Sequence, residues 1–98
     1  MADLRFSWDP AKAQKNLRKH KVAFEEAETA FFDEQGLVLD DPDHSELEDR
    51  FILLGLSAAL RILSVSHCVR ETDSLIRIIS ARRPTRREQR QYWERLTK

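Results

Sequence analysis

The chain lacks most of what would make it a secreted, membrane or cofactor protein. It has a single cysteine, Cys68, so no intramolecular disulfide can form, and that fits a reducing compartment. No charged n-region and apolar h-region open the sequence, and no apolar run approaches the length of a membrane span. A cytoplasmic location is therefore expected. Neither GxxxxGK[ST] nor GxGxxG occurs, so nucleotide-cofactor binding has no support. One Cys and three scattered His make a structural zinc site improbable, and no G-x-S-x-G nucleophile elbow is present. The expectation is no cofactor and no metal. There is also no internal repeat, linker or low-complexity tract.

Net charge is lacking too, but only in total. The 17 Lys/Arg and 17 Asp/Glu are segregated. Residues 1–24 hold six basic and two acidic side chains, residues 25–50 one and eleven, residues 51–98 ten and four. Binding responds to the local field, so basic ends can hold phosphate while the acidic middle faces solvent or a basic partner. At 98 residues the chain is one domain, 1–98, burying roughly 60–70% of its unfolded surface.

The elements follow from local signals. Leu4–Trp8 reads as a short edge strand. Asp9-Pro10 starts a helix running to about Lys19, since Asp caps free N–H groups and Pro suits the first helical position. Ala13 and Leu17 are expected to face inward, with Lys12, Lys15, Asn16 and Lys19 on the polar side. His20 stands where the helix dipole favours a cation. Phe24, Ala27 and Phe31 mark a second short helix, and Leu37–Leu39 begins a strand after Gly36. After the polar loop Asp40–Asp49 come three strand-like runs, Phe51–Leu56, Arg61–Val69 and Leu75–Ala81, with connections short enough to imply antiparallel neighbours. Thr85-Arg86-Arg87-Glu88 is a capping box opening a terminal helix, with Gln89, Tyr92, Trp93 and Leu96 on one side. The expected fold is α+β: two N-terminal helices, a four-stranded antiparallel sheet with a short N-terminal edge strand, and a C-terminal helix.

Arginine dominates the chemistry on offer. Arg82, Arg83, Arg86, Arg87, Arg90 and Arg95 crowd the junction of the last strand and last helix, with Arg61 and Arg77 on neighbouring strands. A guanidinium is permanently charged and its planar fork matches phosphate oxygens; the bland alternative is a solvated helix face. Arg77, within Ile-Arg-Ile-Ile-Ser, must either pair with a carboxylate or line a cleft. His44, Glu48 and Arg50 share one loop, and His and Glu are common general acids and bases; the alternative is a polar loop with surface ion pairs. Trp8, Tyr92 and Trp93 can each stack on a base or join the core, and Cys68 reads as a packed small hydrophobe.

In order along the chain, these residues resemble the BrnT-type toxins. The resemblance begins with Phe6, Trp8, Asp9, Pro10, Lys12 and Ala13, then Asn16, Lys19, His20, Val22, Phe24, Glu25, Glu26 and Ala27. It continues through Asp41, Pro42 and His44, Glu48-Asp49-Arg50, Gly55, Ser57, Arg61, Val65, Ile76 to Arg82, and Thr85, Glu88 and Tyr92. Two positions depart from the pattern: Ala23 where Ser is common, and Arg83 where a small residue or Pro is common. The resemblance implies a fold akin to RelE-type ribonucleases, RNA cleavage that inhibits translation, and a ribbon–helix–helix, BrnA-like antitoxin. It further implies a 2:2 toxin–antitoxin complex that represses its own operon, reaching operator DNA only through the antitoxin.

On that footing Arg61, Arg77 and Arg82 are the candidates for stabilising phosphate charge, converging on one scissile linkage. His44, Glu48 and Tyr92 are the candidates for proton transfer, with no choice among them. Lys12, Arg83, Arg86, Arg87 and Trp8 are the candidates for RNA binding. The rival from another class is a non-catalytic module whose arginine surface docks the antitoxin. A direct DNA-binding repressor is weaker, because no helix-turn-helix pattern appears.

Overall fold

The computed structural model describes residues 3–41, 50–70 and 74–97. The elements run β1 (Arg5–Ser7), α1 (Pro10–His20), α2 (Phe24–Ala30), β2 (Leu37–Asp40), β3 (Arg50–Leu56), β4 (Ile62–Arg70), β5 (Leu75–Arg82) and α3 (Arg86–Glu94), the last extended by a 3-10 turn, Arg95–Thr97. The sheet has five strands in the order β1-β5-β4-β3-β2. β2 to β5 form the expected antiparallel meander. The N-terminal strand stands at the sheet's edge as expected, but it lies parallel to β5, which makes the sheet mixed. Its pairing partner lies some 70 positions away in the sequence, with Arg5 opposite Leu75, so local pattern carries no trace of it.

Local chemistry sets each helix. The Asp9 carboxylate accepts from Ala11 N–H at 2.8 Å, and α1 stops where Lys21 turns left-handed at φ 60°. α2 starts at Ala23 without a side-chain cap. α3 has the full capping box, the Thr85 hydroxyl accepting from Glu88 N–H and Glu88 accepting from Thr85 N–H.

α1 and α2 cover one face of the sheet and α3 lies against β3 on the other. The helix-side core joins Val22, Phe24, Ala27 and Ala30 to Leu53, Leu63, Val65, Ile76, Ile78 and Ala81. The close fit of α2 needs Gly55, where a Cβ would lie 2.7 Å from the Ala30 carbonyl oxygen. Two α1 residues differ from expectation. Leu17 is 50% exposed, and Asn16, expected on the polar side, is buried. β1 pairs only with the first residues of β5, leaving the later part of that strand without a neighbour on its outer edge. Asn16 takes that place at Ala81: its Nδ2 donates to the Ala81 carbonyl at 2.8 Å and its Oδ1 accepts from Ala81 N–H at 3.0 Å. Nδ2 also donates to the Val22 carbonyl at 2.9 Å. A side-chain amide thus completes main-chain pairing that would otherwise be orphaned in the interior.

Candidate active site

Side chains alternate across a strand, so Arg77 and Arg82, five positions apart, should point to opposite faces. They do not. Ser66 pairs with Ser80 and His67 with Ile78, which leaves Ile79 as an extra residue in β5. This bulge resets the alternation. Ile76, Ile78 and Ala81 all point into the helix-side core, and Arg77, Ser80 and Arg82 therefore share the opposite face. Their cross-strand partners on β4 are Cys68, Ser66 and Ser64. The face is thus a strip of hydroxyls with a guanidinium toward each end. The two Cα positions are roughly 15 Å apart along the strand.

The two arginines differ in their bonding. Arg82 donates through Nη1 to Glu88 Oε1 at 2.8 Å and through Nη2 to Oε2 at 3.2 Å. Burial works against the charged form of Glu88, but hydrogen bonds from Arg82 and from Thr85 N–H outweigh it and hold the carboxyl below its ordinary range. Glu88 therefore ties the strand end to the start of α3 and holds Arg82 in one orientation. No carboxylate among the described residues pairs with Arg77.

Arg61, expected to converge with them, lies on the other side of the sheet. Its Nε donates to Glu26 Oε2 at 2.8 Å and its Nη2 to Glu26 Oε1 at 2.7 Å, with a further bond to the Lys21 carbonyl at 3.0 Å. Glu26 is on α2 and also accepts from Ser57 Oγ at 2.7 Å. The Arg61 contact is the main cause that lowers the Glu26 pKa. The sequence offered no partner within reach of Arg61, because Glu26 is 35 positions away.

Tyr92 is buried, and its hydroxyl donates to Asp33 Oδ2 at 2.5 Å. Burial, then the Asp33 carboxylate, push its pKa up to about 12, so it holds its proton firmly. Burial also opposes the charge on Asp33, but Tyr92 and the N–H groups of Leu56 and Gln35 overcome it and lower that pKa. Tyr92 is set against this acid and away from Arg77. Trp93, expected on the same side as Tyr92, is 50% exposed. Trp8 packs edge-on against Phe24 at 5.9 Å and belongs to the rim of the core. Lys12 is exposed on α1, and Arg83, Arg86 and Arg87 are exposed at the β5–α3 corner. His44 and Glu48 lie outside the described residues; they fall between Asp41 and Arg50, where Asp41 N–H donates to the Arg50 carbonyl at 3.1 Å. Asp41 also accepts from Ser66 Oγ at 3.3 Å, on the hydroxyl strip. Two residues that sequence reasoning missed are Glu88 as the partner of Arg82 and His67, a buried imidazole edge-on to Phe31 at 4.8 Å. Burial lowers the His67 pKa. Among the described residues no group of three His, Cys, Asp or Glu is placed to hold a metal ion, and no helix is long and apolar enough to cross a membrane.

These features define a small α+β protein with two arginines on one face of its sheet. A crystal structure of the Brucella abortus ribonuclease toxin BrnT has a similar fold, with a TM-score of 0.60 and 21% identity over 85% of this chain and 99% of that one. No curated protein matches the chain closely enough to count as a relative. The family described as "Ribonuclease toxin, BrnT, of type II toxin-antitoxin system" matches residues 8–88. The chain belongs to the BrnT family of ribonuclease toxins.

Proposed function

We propose that this chain is an endoribonuclease that cleaves RNA without a metal ion, using the face of the sheet that carries Arg77 and Arg82. The observation that supports it is the Ile79 bulge, which turns both guanidinium groups toward the same hydroxyl strip. In the proposed reaction a 2′-hydroxyl attacks the adjacent phosphorus, the new P–O2′ bond forms as P–O5′ breaks, and the products end in a 2′,3′-cyclic phosphate and a 5′-hydroxyl. Arg77 and the pre-oriented Arg82 stabilise the charge that grows on the phosphoryl oxygens. A base takes the 2′-hydroxyl proton and an acid protonates O5′; His44 and Glu48 are the proposed pair. The firm proton of Tyr92 and its bond to Asp33 support a structural role instead. The pairing of Arg61 with Glu26 likewise supports a structural role for that arginine. Arg83, Arg86 and Arg87, rather than Lys12 or Trp8, are the proposed RNA contacts, because they adjoin Arg82.

The wider reading is a cytoplasmic, RelE-like toxin that inhibits translation. A ribbon–helix–helix antitoxin neutralises it in a 2:2 complex that represses the shared operon. Incubation of the purified protein with single-stranded RNA in chelator tests the chemistry. Cyclic-phosphate ends are expected, with cleavage about a hundredfold slower in Arg77→Ala. Intact RNA alongside growth arrest would instead favour a non-catalytic module, a reading that draws on the Arg82–Glu88 pair already neutralising one of the two charges.

A further inference from the structure

One surface of α3 reaches beyond the cleavage face, from the proposed RNA contacts Arg83 and Arg86 to Gln89, Arg90 and Trp93. α3 buries only Tyr92. Arg86, Gln89, Arg90 and Trp93 follow one another at three- and four-residue spacing, which aligns them along a single stripe of the helix. Together with Glu94 they line a depression of about 560 Å³. A second depression, of about 250 Å³, is lined by Ile62, Arg83, Pro84 and Gln89. Gln89 lines both, so the two depressions adjoin across it in a groove-like surface that reaches Arg83, the residue next to Arg82. Arg61 also edges it, but Glu26 neutralises its charge.

The chemistry of this groove is specific. No carboxylate among the described residues pairs with Arg83, Arg86 or Arg90. Trp93 leaves half its surface to solvent, its inner edge set by a T-shaped contact to Tyr92 at 5.1 Å. Unpaired guanidinium groups attract phosphates, and an exposed indole offers a plane on which an unpaired base can stack. A duplex keeps its bases stacked on one another and presents nothing to that indole.

We infer that the groove of Arg83, Gln89, Arg86, Arg90 and Trp93 binds single-stranded RNA outside the cleavage face. One base stacks on Trp93, and the flanking phosphates lie on Arg86 and Arg90. The strand then passes Arg83 toward Arg82. This rests on the ribonuclease reading for its substrate class and extends it to unpaired strands held on both sides of the cut.

The test uses a 2′-O-methyl RNA oligonucleotide of about a dozen nucleotides, which lacks the attacking hydroxyl, so binding is read without cleavage. Affinity is followed by anisotropy and by tryptophan emission. Wild-type protein is expected to bind the single strand more tightly than a hairpin of the same composition, with quenched indole emission. Trp93→Ala should weaken binding at least about fivefold, Trp93→Phe should retain most of it, and the quench should vanish in both. Arg86→Gln with Arg90→Gln should reduce the slope of log affinity against log salt by about 1.4. Thermal unfolding checks that each variant is folded. Equal affinity in wild type and Trp93→Ala overturns the inference, as does an emission change on adding antitoxin with none on adding oligonucleotide. Cleavage of unmodified RNA by the wild type is scored separately. Cleavage without Trp93-dependent binding removes the groove and keeps the enzyme; Trp93-dependent binding without cleavage does the reverse.

Discussion

The two faces of the sheet solve the same problem by different means. On the helix side, apolar side chains and a close backbone approach exclude water, and the polar groups present are consumed internally: Asn16 by Ala81 and Val22, and Arg61 by Glu26. On the other face serines alternate with arginines, and one ion pair, Arg82–Glu88, anchors α3 while Arg77 pairs with no carboxylate among the described residues. Two arginines that look equivalent in the sequence thus sit in opposite settings. An arginine's identity says little until its partner is known, and the partners here come from distant elements.

The contrast is most sharply broken at Asn16. Asn16→Ala leaves three buried main-chain groups unpaired, at about 3–5 kcal/mol in total. The expected result is a fall in melting temperature of at least about 12 °C for a domain of this size, read by calorimetry or circular dichroism. The second comparison sets the two paired arginines against each other. Arg82→Gln should slow RNA cleavage about a hundredfold. Arg61→Gln should leave cleavage near wild type and cost about 1–2 kcal/mol in a urea melt, since solvent screens part of the guanidinium. Equal losses of activity would erase the distinction between the faces. Third, Gly55→Ala drives a methyl into the Ala30 carbonyl and should cost about 1–3 kcal/mol of stability, with α2 forced outward.

The smallest effect is a pH dependence. The folded His67 pKa lies below its ordinary value of 6.5. The unfolded chain therefore takes up the proton first, and stability present above pH 6.5 declines as pH falls toward the folded value. Glu26, Asp33 and Glu88 also have lowered pKa values. Their contribution is full above the ordinary carboxyl range, about pH 4–4.5, and is lost below it. Stability measured from pH 7 to 3 should fall in two stages, and His67→Phe should remove the upper one alone.

The sequence made much of the fold legible because its signals were local. Asp9-Pro10, the Thr85–Glu88 box and the short turns between strands mark their elements within a few residues. The parallel pairing of β1 left no local mark, and the role of Asn16 could not be read from a helical wheel on which it aligns with lysines. For the site, Arg77 and Arg82 were visible as unusual strand and junction residues. Their common face was not, because nothing in Ile78-Ile79 announces which residue is surplus to the pairing.

That surplus residue has a consequence for how the strand can vary. Ile79 acts as a phase shift in a two-letter code of inward and outward positions. Substitution at 79 leaves the phase alone. Losing one residue from 78–80 would set Arg82 four positions from Arg77, where plain alternation without a bulge again turns both outward. The surplus residue is thus an insertion that the strand absorbs without moving its outward arginines.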